Sequence, residues 1–137
     1  MREILFRAKR LDNGEWVEGH YLKCPHQMSG LIKDHISVSK YDEETESTIE
    51  HIYPVDPKTV CQYTGLTDRN ESKIWENDIV EILQEDGYFK IEWQEDTASF
   101  VMNNDSFTVT FDNYWGHEME VIDNIFGNPE LLKEGAE

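Results

Sequence analysis

Between positions 106 and 111 the chain reads Ser-Phe-Thr-Val-Thr-Phe, an unbroken alternation of polar and apolar residues. Successive side chains of an extended strand point to opposite faces, so Phe107, Val109 and Phe111 share one face and Ser106, Thr108 and Thr110 the other. Burying three such side chains contributes about 5 to 9 kcal/mol, comparable with the net stability of a whole domain, so that face cannot stay in water. The same period places Phe89, Ile91 and Trp93 on one core-facing side of a strand, and Ile79-Val80-Glu81-Ile82-Leu83 reads as a mostly buried one.

Turn residues are spaced too closely for long helices. Leu11-Asp12-Asn13-Gly14 reads as a hairpin turn, because two successive residues with φ > 0 match the twist of paired strands. Asp86-Gly87 and Asn103-Asn104-Asp105 mark two further hairpins. Strands are expected over 35–38 and 49–53, separated by the polar loop 41–47, and again over 59–63. The one helix expected is short, over 129–134: Asn128 caps it, Pro129 suits its first position and Glu130 its positive end. The fold class is therefore mainly β. It combines an N-terminal hairpin region (about 1–66) with a small, SH3-like, partly open barrel (about 74–126), in a single domain over 1–137.

The charge is uneven. The net value of −17 divides into +2 over residues 1–40 and −19 over 41–137. A phosphate backbone is repelled by the second segment, so direct nucleic-acid binding is not expected. The opening MREILFRAKR interrupts every apolar run with a charge, and no membrane span follows, which points to the cytoplasm and to no membrane partner. Two cysteines, Cys24 and Cys61, are too few for a disulfide framework.

His20, Cys24 and His26 lie close in sequence, and Cys61 could join them in space as a fourth zinc ligand. No Cys-x-x-Cys or His-x-x-x-His pair fixes that spacing, so a small zinc-binding module competes with an incidental thiol on a polar turn, and no cofactor is expected. Asp68-Arg69-Asn70-Glu71-Ser72 mimics the start of a calcium loop, but Lys73 and Ile79 stand where Gly and Glu are required. Either cysteine can be combined on paper with several histidines, and nothing singles out one pair. With no Gly-rich phosphate loop and no nucleophile elbow, catalysis is not expected. Glu44 with Glu46, Glu76 with Asp78, and Glu118 with Glu120 could each point one way about 6.6 Å apart on a strand, as a DNA mimic of a host enzyme's substrate would require. A solvated acidic surface explains them equally. Tyr114 and Trp115 are candidate interface anchors, with packing against the core as the competing reading.

Several blocks carry a resemblance. They are Phe6-Arg7-Ala8, Trp16-Val17-Glu18-Gly19, Gln62-Tyr63-Thr64-Gly65-Leu66, Ile74-Trp75-Glu76-Asn77-Asp78-Ile79-Val80, and Val121-Ile122-Asp123-Asn124-Ile125-Phe126 with Asn128-Pro129-Glu130-Leu131-Leu132. In this order they resemble the YopX family of phage and prophage proteins. The resemblance implies a mainly β protein that assembles from several copies and has no settled activity. It also implies Gly where this chain has Asn77, Glu71 and Asp123; Asn is the residue that best replaces Gly in a left-handed conformation. The functional expectation is a non-enzymatic protein acting through self-assembly and contact, with a host protein as a further partner. The DNA mimic and the zinc module are the alternatives.

Overall fold

The computed structural model describes residues 4–83, 87–104, 108–111, 118–130 and 132. The fold is mainly β, and the chain divides into two compact units, Met1–Gln62 and Tyr63–Glu137.

In the first unit, β1 (Phe6–Lys9), β2 (Trp16–Pro25), β3 (Ile32–Asp42) and β4 (Ser47–Pro54) form an antiparallel meander. Its registers pair Lys9 with Trp16, His20 with Ser37 and Lys40 with Ile49. The first hairpin differs from the expected two-residue turn. Arg10 N–H donates to Glu15 O, leaving a loop of residues 11–14 in which Gly14 alone is left-handed (φ +71°). Asn13 instead accepts the Glu15 N–H at its Oδ1 (2.9 Å). The polar run 41–47 is also more regular than a loop: Tyr41 pairs with Thr48 and Asp42 with Ser47, which leaves only 43–46 as the turn. Ladder hydrogen bonds need no apolar side chains, and Tyr and Thr favour extended backbone.

One face of this sheet buries Ala8, Ile36 and Val55, with Phe6, Val17, Tyr21 and Val38 packed on them. A bridge between Arg10 and Val55 draws the chain after β4 back over that face. Gly19 lies where β2 and β3 approach closely: a Cβ there would stand 2.1 Å from the Ser37 carbonyl oxygen. Alternation sends Cys24, His35, Ser37, Ile52 and Pro54 to the opposite face.

Strand β5 (Cys61–Thr67) crosses the division. Cys61 and Gln62 pair with Arg7 and Phe6, and Tyr63 and Thr67 pair with Trp75 and Lys73 of β6 (Lys73–Trp75). The register shifts within that second pairing, and Gly65 there takes φ +90°, which an L side chain resists. The rest of the second unit contains β7 (Asp78–Ile82), β8 (Tyr88–Gln94), β9 (Ser99–Asn103), β10 (Thr108–Thr110) and β11 (Met119–Asn124). They form one antiparallel sheet in the order β10-β9-β8-β7-β11. Its core is Ile74, Val80, Ile82, Phe89, Ile91, Phe100, Met102, Phe111 and Met119, with Val109 packed against it.

Three expectations are corrected or limited here. The SH3-like barrel is an open sheet: β10 and β11 are its two edges, and among the described residues no ladder joins them. Trp93 does not share the burial of Phe89 and Ile91 and is 40% exposed. The β7 ladder stops at Lys90, so Trp93 rides on a two-stranded extension, where its ring meets Phe100 edge-on at 5.1 Å. Of the short C-terminal helix expected over 129–134, Glu130 and Leu132 are helical and the remainder falls largely outside the described residues, as do Phe107 and Asp86. Asn77 does take the left-handed conformation (φ +70°) that Gly would occupy. Its N–H donates to Ile91 O, and its carbonyl accepts from Ile125 N–H.

Candidate functional site

The four residues of the proposed zinc set go to different environments. His20 is exposed on β2 opposite Ser37, and His26 is in the turn that follows β2. Cys24 is half-buried, whereas Cys61 is fully buried with its thiol donating to Thr59 O at 3.2 Å. Among the described residues no three His, Cys, Asp or Glu side chains group to hold a metal ion. Tyr114 and Trp115 lie outside the described residues.

The structure does bring Cys24 and His26 to one place, with His35 as the third member. Cys24, His26, Met28, His35, Ile52 and Pro54 line a pocket of about 310 Å³. The β2–β3 register sets Cys24 opposite Lys33 and Leu22 opposite His35, so the thiol and the imidazole are diagonal neighbours on one face. Sequence alone could not distinguish His35 from the other histidines; the register of the 24–35 hairpin is the signal that finds it.

Proton positions follow from the partners. His35 Nδ1 lies 2.8 Å from Lys33 O, and a carbonyl only accepts, so Nδ1 carries the hydrogen. Cys24 Sγ, 3.3 Å from the same nitrogen, therefore faces a donor. The ring's lone pair is at Nε2, and the imidazole cannot take the thiol proton through Nδ1. This is not the arrangement of a cysteine activated by a histidine base. His26 has the opposite tautomer, since its Nδ1 accepts from Met28 N–H at 3.2 Å. The two rings stand 6.2 Å apart.

The other polar candidates act as braces. Asp68, the first residue of the calcium-like run, is 6% exposed. Its Oδ1 accepts from Asn70 N–H and Ser72 N–H, and its Oδ2 from Val121 N–H, at 2.8 to 2.9 Å. Asp78 is buried and accepts the Trp75 N–H at 2.8 Å, so the Glu76 and Asp78 pair cannot face outward as two phosphates would. Glu44 and Glu46 are exposed but sit in the 43–46 turn, and Glu120 accepts from Asn70 Nδ2 at 3.3 Å. Tyr21 donates to Asp34 Oδ2 at 2.6 Å; burial first, and then this carboxylate, push its phenol up to about 12.

The second surface feature is a ribbon. β2 pairs with β3 only through Ser37, so residues 38–42 and 47–51 continue as two strands alone. β4 is exposed from Ser47 to Ile52, and Tyr41, Ile49 and Ile52 are 64%, 42% and 49% exposed.

The family description "YopX protein" matches residues 5–133. The chain belongs to the YopX family. A similar solved structure is the crystal structure of protein EF1440 from Enterococcus faecalis, at 21% identity and a TM-score of 0.60, covering 96% of this chain and 99% of that one. Likeness at that identity establishes the fold alone. A search of curated proteins finds no match.

Proposed function

We propose that this YopX-family chain is a phage- or prophage-encoded, non-enzymatic protein of the bacterial cytoplasm that acts through protein contacts, with a second copy of itself as the first partner. The observation that carries this reading is the β3–β4 ribbon. A two-stranded ribbon is marginal in water, and an open edge with Thr48, Ile49, Ile52 and Tyr53 has the composition that pairs with another strand. Glu50 is the only carboxylate between Ser47 and Tyr53, so repulsion along that edge is small. The absence of a base for Cys24 supports the non-enzymatic part, and the buried Asp78 leaves the DNA-mimic reading without a surface row.

Sedimentation velocity at micromolar concentration and raised salt tests the assembly. The expected result is a mass above the 16.1 kDa of one chain, reverting to a monomer in Ile49→Lys. A monomer for the unaltered chain overturns the proposal, as does an assembly that Ile49→Lys leaves intact.

A further inference from the structure

We propose that Cys24 is a thiol-exchange site that takes a low-molecular-weight aminothiol disulfide into the pocket at the end of the β2–β3 hairpin. Cys24 is half-buried at that pocket, whereas Cys61 is 0% exposed, so only one of the two sulfurs is open to a reagent. The Cys24 sulfur faces the Nδ1–H of His35 at 3.3 Å and is held as an acceptor, which is also how a thiolate is held before it attacks a disulfide.

An independent observation comes from the other side of the ring. His35 is 4% exposed, yet its Nε2 makes no hydrogen bond. Buried polar groups are almost always satisfied, so a lone pair at the wall of a pocket calls for a donor from a ligand. In an aminothiol disulfide the ammonium stands two carbons from the sulfur. One such molecule can set its sulfur against Cys24 and its donor toward His35, with Ile52 and Pro54 as an apolar wall for the methylenes. The volume of about 310 Å³ is at the small end of ligand sites, which suits a short arm.

The exchange is balanced without a further oxidant. The Cys24 thiolate attacks one sulfur of the disulfide, and the Cys24–S bond forms as the ligand's S–S bond breaks. The departing half leaves as a thiolate and takes up the proton that Cys24 gave up. Cys24 is oxidised to a mixed disulfide, and the leaving sulfur is reduced to a thiol.

The test treats the full chain with cystamine and, separately, with diethyl disulfide, following adducts by intact mass and peptide mapping. Each rate is divided by that of the urea-unfolded chain with the same reagent. One adduct is expected, on Cys24, with Cys61 free until denaturant is added. The normalised rate should be about tenfold higher for cystamine, the effect of one hydrogen bond to a charged group. His35→Gln should reduce that ratio toward one; if the variant does not fold, the two-reagent comparison on the unaltered chain decides alone. Equal normalised rates for the two reagents, a folded chain no faster than the unfolded one, or equal labelling of Cys61 overturns the proposal.

Discussion

Among the described residues, unit 63–137 buries nine side chains in one apolar cluster, whereas unit 1–62 buries three in its own. The charges divide the same way. The first unit carries eight Lys or Arg against eleven Asp or Glu, a net −3, and the second four against eighteen, a net −14. Exposed large apolar residues run opposite to this, with Met28, Leu31, Ile32, Tyr41, Ile49 and Ile52 all in the first unit. One unit directs its apolar residues inward and shows water a uniformly negative surface, which opposes association. The other is nearly neutral, thinly cored and apolar outside, which favours it. Contact function therefore belongs with the unit that has less to hold it together.

The largest effect that would break this contrast is at Asp68. Replacing it by Ala leaves the N–H groups of Asn70, Ser72 and Val121 without their acceptor, at about 1–3 kcal/mol for a fully buried group. Because these groups are only partly buried, about 2–4 kcal/mol in total is expected from the denaturant midpoint. Hydrogen exchange should quicken at Val80, Phe89 and Ile91 while Ala8 and Ile36 keep their protection. Equal loss in both units would mean that they unfold as one.

Gly19→Ala is the converse. The added Cβ at 2.1 Å from Ser37 O must push β2 and β3 apart, costing about 1–3 kcal/mol, with faster exchange confined to the first unit. A shift below a few tenths of a kcal/mol would show that this approach is not a constraint.

A smaller effect should appear with alkali. The Tyr21 phenol is raised to about 12, above its ordinary value near 10, so the fold prefers it protonated. Its contribution is whole below pH about 10 and is lost as pH rises through about 10 to 12. Tyr21→Phe should have less of this decline than the unaltered chain, read from denaturant midpoints on either side of the window. An identical decline in the variant would place the alkaline sensitivity elsewhere.

How much of this was legible in the sequence depended on whether the signal was local. Period-two burial correctly placed Val109 and Phe111 against the core and Thr108 and Thr110 outside, because strand alternation is a property of neighbouring residues. It misplaced Trp93, since burial there depends on how far the β7 ladder reaches along β8, and that is a matter of register between distant segments. Closure of the barrel was misread for the same reason. The meeting of Cys24 with His35 was equally hidden, because it needs the pairing of two strands and not the spacing within one.

The smallest expected effect compares two left-handed glutamates. Glu71 (φ +64°) stands in the turn braced by Asp68, and Glu46 (φ +53°) in the turn at the end of the open ribbon. An L residue there costs about 1–2 kcal/mol, and Gly removes that cost but loses about 0.5–1 kcal/mol through its freer unfolded chain. Glu71→Gly should therefore stabilise by about 0.5–1 kcal/mol. Glu71→Gln, which removes the charge and keeps the strain, separates backbone relief from relief of repulsion in the −14 unit. The same change at Glu46 should leave global unfolding almost untouched, because a ribbon without a core opens locally before the unit does. If Glu46→Gly raises the global midpoint as much as Glu71→Gly, the ribbon is already held by something, and a strand from a second copy is the partner that the self-assembly proposal supplies.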